Sequence, residues 1–455
     1  MRRCGPTLTA VAAGSLFPLG FAPFEYALVA PLSLAVLFLL WLTAGPLQAA
    51  LLGFWFGIGA FGVGVSWVYV SLHVFGQMPT PLAILAVVIF VLMMSGYIAA
   101  MGWLQSCCRQ HGSAVRLLLI MPACWILGEW LRGWLFSGFP WLYLGYGLID
   151  TPLAALAPAG GVLAVGAAGA VCGAAIMMLV TGPLRGRVLA VCTLVIVGAG
   201  VLVLDRIEFV QSTGKPLQIA IIQQNVSLER KWSADNLEAI AQGYLSVSRQ
   251  AEQADLIVWP EAALPLYYDQ IPPAYLTQLR VLPADILLGV LERSRNNERT
   301  EFFNSALGLG VVDSMYRKQR LVPFGEFLPF RPLFSWVLNY LNIPMSDFTA
   351  WPTAQEGWFG NSLAPHQRLQ MARMRAMESG RALIRASNNG LSALISAEGN
   401  LLTVAPQFQP ETVRGSVVPM SGATPFVRLG NLPILLLSVL VIAGSFLKRF
   451  SYRTG

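Results

Sequence analysis

Apolar runs long enough to cross a hydrocarbon core, which takes ~20 helical residues for ~30 Å, recur through the first two hundred positions and return once near the end. Within a few residues at each end, they predict spans near 6–21, 25–43, 48–72, 82–104, 117–135, 160–181 and 187–204, then 432–447. That is about eight transmembrane helices. From Asp205 to Pro425 the pattern changes. Short β-rich runs at 217–222, 256–259, 286–291, 303–309, 383–386, 391–395 and 413–418 alternate there with polar helical stretches, which predicts an α/β domain. A helix is expected over 364–380, with Pro365 near its start, Leu369, Ala372 and Ala376 on one face and Gly380 at its end. There is no internal repeat, low-complexity tract or glycine-rich phosphate loop.

The expected division is therefore a membrane domain over 1–204 with about seven helices, a soluble domain over 205–425, and a last helix with its tail over 426–455. Composition agrees, at 55% hydrophobic and 12% charged residues. The net charge of +7 could suggest nucleic acid, but the basic residues are scattered rather than gathered on one face, so no nucleic-acid partner is expected. They mark topology instead. Arg2 and Arg3, Arg109 and Arg116, Arg185 and Arg187, then Lys448, Arg449 and Arg453 all fall on one side in this count, and the positive-inside rule makes it the cytoplasm. The soluble domain then faces the opposite compartment. Arg2-Arg3 with an apolar run could pass for a signal peptide, but no small-residue cleavage site ends it, so an uncleaved first helix is expected.

The six cysteines, Cys4, Cys107, Cys108, Cys124, Cys172 and Cys192, all precede the soluble domain, and none has metal or redox spacing. They read as small apolar packing residues. Two segments of the soluble domain could carry chemistry. At Trp259-Pro260-Glu261 a strand ends and proline stops the ladder, so Glu261 projects from a sheet edge where a carboxylate can act as general base. Alone, a Glu at a strand end is more often solvated or paired. Tyr316-Arg317-Lys318 leads through Leu321-Val322-Pro323-Phe324-Gly325-Glu326, and a lysine held there could stabilise an oxyanion. Alone, it reads as a surface lysine.

Together the two segments resemble the first two members of the Glu-Lys-Cys triad of the nitrilase, or carbon-nitrogen hydrolase, superfamily. In the membrane part, Glu129-Trp130-Leu131-Arg132-Gly133-Trp134 and Ser137-Gly138-Phe139-Pro140-Trp141 resemble the signature of apolipoprotein N-acyltransferases. Read without that family, the same residues suggest an interfacial aromatic belt with close helix packing. Further matches follow in family order: Gln223-Gln224-Asn225 with Trp232, Pro344-Met345-Ser346-Asp347-Phe348, Trp358-Phe359-Gly360-Asn361-Ser362, the 369–376 helix segment, and Arg385-Ala386-Ser387-Asn388-Asn389-Gly390.

The resemblance implies an αββα nitrilase-like sandwich on a multi-span bacterial inner-membrane protein, with the sandwich in the periplasm. The implied reaction moves an acyl chain from a phospholipid to the N-terminal amine of a diacylglyceryl-cysteine apolipoprotein. In it a cysteine thiolate attacks the phospholipid ester, a residue like Glu261 takes the thiol proton, and one like Lys318 stabilises the oxyanion. The thioester formed is then attacked by the amine. Glu326 matches a carboxylate supporting the lysine, and Trp232 a tryptophan on a loop near the site. No metal or diffusible cofactor is called for.

The resemblance breaks near 349–357. Where the family pattern has a strand ending in Cys-Tyr-Glu, a helix and another strand, Phe348 is followed by nine residues and then directly by Trp358-Phe359-Gly360. The nucleophile is absent, and the sandwich is expected to be incomplete. Ser362 and Ser387 are poor substitutes, because a hydroxyl is far harder to ionise than a thiol. Two functions stay open: an acyltransferase, or a non-catalytic homologue that binds lipid and lipoprotein. A transporter would keep ionisable groups inside its spans, and these spans are nearly free of them. A soluble amidase would not need the spans.

Overall fold

The computed structural model describes residues 4–296, 299–310, 313–317 and 359–451. Among the described residues, five helices are long and apolar enough to cross a membrane: Pro46–Gly64, Thr80–Ser106, Ser113–Arg132, Pro152–Thr181 and Leu184–Leu204. Shorter apolar helices cover Cys4–Leu16, Val29–Thr43 and Leu432–Phe446. The predicted run 48–72 does not stay one helix: it stops at Gly64, and short turns over 67–75 follow. Hydropathy misses that break because both sides of it are apolar.

The helical half closes on one core in which Phe17, Phe38, Trp41, Phe56 and Trp125 are buried together. Leu184–Leu204 lies outermost, with Val188, Val195, Ile196 and Leu202 exposed along it, as suits a helix bathed in hydrocarbon. Arg116 is not a loop charge. It is buried and donates to the main-chain oxygens of Trp41 and Leu42 at 3.0 and 2.9 Å, closing the C-terminal end of Val29–Thr43.

The strands are β1 (Val210–Ser212), β2 (Leu217–Gln223), β3 (Leu256–Val258), β4 (Asp285–Asn296), β5 (Arg299–Leu309), β6 (Ser314–Arg317), β7 (Leu383–Arg385), β8 (Ala393–Ile395), β9 (Leu401–Val404), β10 (Glu411–Val417) and β11 (Met420–Gly422). A six-stranded sheet runs β10-β2-β3-β4-β5-β6, with β2, β3 and β4 parallel and the other pairs antiparallel. A three-stranded sheet runs β7-β8-β9, and β1 pairs with β11.

Both faces of the central sheet are covered, which is why β2 reads as a continuous apolar run. Ala220 and Ile222 pack under the helices Leu237–Arg249 and Pro273–Arg280. Ile219 and Ile221 point the other way, onto Leu394 of β8. This is an α/β arrangement set beside a helical membrane half.

The helix Leu363–Ser379 joins the halves. Ser362 caps its start and Gly380 ends it with φ 61°, in the left-handed region. Leu369 and Ala376 pack on Leu391, Ala393 and Ile395. From its opposite side Gln367 accepts from the indole of Trp67 at 3.2 Å and donates to the oxygen of Gly64 at 3.0 Å. Gln370 accepts from the amide of Ala22 at 3.3 Å, and Arg373 pairs with Asp150. Glu378 accepts from the amide of Val162 at 2.7 Å, just after Gly161, whose φ of 71° breaks that helix. A broken helix frees main-chain donors that need a partner, and Glu378 supplies it.

Candidate functional site

β3 ends at Val258, and Trp259 continues the ladder by donating its amide to Leu287 at 2.9 Å. The Trp259 ring is buried against Tyr244, with centroids 4.7 Å apart, and its indole donates to Ser248 Oγ at 3.0 Å. Pro260 then stops the pairing, and the chain turns sharply at Glu261-Ala262. Ala262 is fully buried with φ 44°, a conformation that costs an alanine about 1–2 kcal/mol. The turn packs so closely on β4 that a Cβ at Gly289 would lie 2.6 Å from Glu261 Cα. Glycine is required there.

Among the described residues, three contacts hold this elbow. Ala263 donates its amide to Gly289 at 3.2 Å. Asn304 of β5, itself buried, donates from Nδ2 to Glu261 Oε1 at 2.5 Å. Lys231 donates from Nζ to the main-chain oxygen of Glu261 at 3.2 Å. Lys231 ends the short helix Leu228–Lys231 and is only 3% exposed, so its ammonium is pushed down to about 8 by loss of water, against the opposing pull of the Glu261 charge. The next residue, Trp232, is 40% exposed.

Glu261 and Trp232 are thus brought to one end of the sheet through Lys231. β6 pairs with β5 so that Arg317 lies opposite Ser305, the neighbour of Asn304. Arg317 is tied to Glu292, with Nε to Oε2 at 2.9 Å, and its guanidinium stacks over Phe303 at 4.4 Å. Lys318 and Glu326 lie outside the described residues, as does the shortened stretch 349–357.

The two amide-rich motifs of the soluble half meet. Asn388 accepts from the amide of Val226 at 3.1 Å and donates to its oxygen at 2.6 Å, while Asn225, at φ 55°, donates its amide to the oxygen of Asn388 at 2.9 Å. Gln223 accepts from Ser392 at 2.6 Å. These contacts pin the segment that leads to Lys231. The serines are committed: Ser362 accepts from the amide of Ala364, and buried Ser387 from the amide of Gly390. Sequence reasoning missed Asn304, Lys231 and Gly289, whose roles come from distant segments; the one local hint was that Lys231 precedes Trp232.

The Glu129–Trp141 motif of the membrane half folds on itself. Glu129 is fully buried, and its Oε1 accepts from the indole of Trp125 at 2.9 Å and from the amide of Leu144 at 2.8 Å. Arg132 donates to the oxygens of Phe139, at 2.9 Å, and Trp141. Its guanidinium lies over Phe61 and Tyr143 at 5.1 and 4.9 Å. Phe139 and Trp141 are stacked 4.9 Å apart, and Trp67 bridges them to Phe359.

Residues 13–175 match the model of the apolipoprotein N-acyltransferase N-terminal domain, and residues 337–423 that of the carbon-nitrogen hydrolases. Among solved structures, a carbon-nitrogen hydrolase superfamily protein of Xanthomonas campestris is similar at 16% identity and a TM-score of 0.31, over 49% of this chain and 97% of that one. The apolipoprotein N-acyltransferase of Nitrosomonas europaea is 35% identical over 98% of this chain and 98% of its own length. That of Methylococcus capsulatus is 38% identical over 97% of this chain and 96% of its own. With likeness of that degree along nearly its whole length, this membrane protein belongs to the apolipoprotein N-acyltransferase family.

Proposed function

We propose that the site is built to move an acyl chain from a phospholipid to the N-terminal amine of a diacylglyceryl-cysteine lipoprotein, and that this chain binds those lipids without completing the transfer. The first half of the reading is supported by the relatives, which are named for acylation of apolipoproteins. The elbow adds to it. Glu261, half-buried and oriented by Asn304, suits a general base, and Arg317, one residue before Lys318, lies opposite the neighbour of Asn304. In the full reaction the base takes a thiol proton and the thiolate displaces a lysophospholipid to leave a thioester. The lipoprotein amine then attacks, the amide forms and the thiol is released. Lys318 is assigned the oxyanion and Glu326 the support of Lys318.

The second half rests on one observation: no cysteine follows Cys192. The alignment with the Methylococcus relative runs over 485 positions, more than the 455 residues of this chain, as expected if a stretch of the relative has no counterpart here. Ser362 and Ser387 already serve as main-chain caps, and a hydroxyl lacks the acidity of a thiol. A lipid-binding homologue is therefore favoured over an acyltransferase with a substitute nucleophile.

The architecture proposed with this is a membrane domain of residues 1–204, a sandwich of 205–425 facing the periplasm and shortened near 349–357, and a final helix in 426–455. About eight helices in a bacterial inner membrane would open sideways to the outer leaflet, so that a phospholipid reaches Glu261 while its tails stay in hydrocarbon. The deciding experiment is mass spectrometry of lipoprotein N-termini from cells whose sole copy is this chain. Diacylated termini are expected; triacylated termini would overturn the binding-only reading and require another nucleophile.

A further inference from the structure

We propose that Lys231 is a positioning residue that locks the Trp232 segment onto the Glu261 elbow, holding the Glu261 peptide in the orientation that aims its carboxylate at Asn304. The inference rests on the reading of Glu261 as the base of the site. It starts from an expense the fold bears twice. A lysine is almost never buried unless its ammonium is paired, yet Lys231 is 3% exposed at the end of a short helix. Beside it Ala262 holds φ 44° without being glycine.

Each cost answers the other. Rotation of the peptide between Glu261 and Ala262 would relieve the alanine, but it would also turn the Glu261 oxygen away from Lys231 Nζ, now 3.2 Å away, and leave a buried ammonium without that acceptor. The ammonium therefore holds the strained peptide in place. The same peptide carries the Glu261 side chain, whose Oε1 meets Asn304 at 2.5 Å, and leads into the Ala263 amide, which donates to Gly289. Glycine at 289 leaves the elbow pressed against β4, so the turn has no room to relax in that direction. On the other side, Lys231 is followed directly by exposed Trp232, so displacement of Trp232 by a lipid pulls on the residue that holds Glu261.

The test is hydrogen exchange of the full chain in detergent. The Ala263 amide reports the elbow, segment 225–236 the Trp232 side, and helix Pro273–Arg280 serves as control. In Lys231→Met the Ala263 amide and segment 225–236 are expected to exchange about tenfold faster, the size expected for a hydrogen bond to a charged donor, with the control unchanged. Lys231→Arg, which keeps a cationic donor, is expected to restore most of the protection, a rescue that loss of packing alone would not show. Lys231→Gln, too short to reach, is the second variant should Met misfold, and is expected to behave as Met does. An Ala263 amide as protected in Met or Gln as in the wild type, or no rescue by Arg, overturns the proposal. Exchange needs no turnover, so a failure of the acylation reading leaves this result separate.

Discussion

Glu129 in the membrane half and Glu261 in the sheet half sit in contrasting surroundings. Glu129 is fully buried, its Oε1 gathers an indole and a main-chain amide, and the residue lines a small cavity with Phe17, Phe56 and Ile98. Glu261 is half-buried, its carboxylate meets the side chain of Asn304, and its main-chain oxygen is held by Lys231. The first carboxylate is a fixture that ties Trp125 to the chain at Leu144; the second is held by its backbone at a sheet end. The fold uses one acidic group to build itself and positions the other.

Removing the fixture is expected to do the most damage. Glu129→Ala strands the Trp125 indole and the Leu144 amide in a dry site, at about 1–3 kcal/mol each, so a total loss of about 3–5 kcal/mol is expected. Thermal unfolding in detergent would read it, and Glu129→Gln, which keeps an acceptor oxygen, should recover a good part. If Ala cost no more than Gln, the view of Glu129 as a structural acceptor would fail.

Lys231 gives the next effect, and pH gives its sign. Its folded value of about 8 lies below the ordinary 10.5 because burial disfavours the ammonium. Between those two values the unfolded chain binds the proton and the folded chain does not, so stability from this group rises with pH across that window. Below about pH 8 the burial cost is present in full. A gap of this size corresponds to about 3 kcal/mol. Relative to Lys231→Met, the wild type should gain up to that amount between pH 7 and pH 10.5, seen as a change in the difference between their unfolding midpoints. A constant difference would mean that the ammonium is not desolvated.

What the sequence disclosed and what it hid follow the same contrast. The strands with buried positions, β2, β3, β4, β5, β8 and β10, and the half-buried β7 all overlap runs picked out by apolar residues. β1, β6, β9 and β11 do not, because they are short and mostly exposed, and nothing forces an apolar pattern on them. The helix over 363–379 was legible from Pro365 and Gly380, but its task was not: Gln367, Gln370 and Glu378 look like surface residues until the membrane half is packed against them. Glu261 was legible because Trp-Pro-Glu ends a strand. Lys231 was not, since Glu229-Arg230-Lys231 reads as a solvated charge run and only the tertiary fold buries its last member.

A smaller effect is expected at the elbow itself. Gly289→Ala would put a methyl group 2.6 Å from Glu261 Cα, against main chain rather than a flexible side chain, so the turn must shift. A cost of about 1–3 kcal/mol is expected for such overpacking, together with faster exchange of the Ala263 amide, and without change in the membrane half. Equal loss of protection in both halves would contradict the separation drawn between them.

The smallest effect is expected where the halves join. Burial pushes the Glu378 carboxyl up, against the opposing pulls of the Arg375 guanidinium and the Val162 amide. An acid with a raised folded value is charged in the unfolded chain before it is charged in the folded one. Stability from this group is therefore present in full below the ordinary carboxylate range and falls as pH rises through the window up to the raised value. Glu378 Oε1 accepts from the Val162 amide at 2.7 Å, a contact that an amide oxygen can also make. Glu378→Gln should then change stability at pH 7 by less than about 1 kcal/mol and flatten the acid side of the unfolding profile, because Gln keeps the acceptor and removes the charge. If Gln instead cost several kcal/mol at pH 7, the ion pair with Arg375, 2.8 Å away, would be the true support of the junction, and Glu378 would have to be grouped with Glu129 as an acid the fold cannot replace.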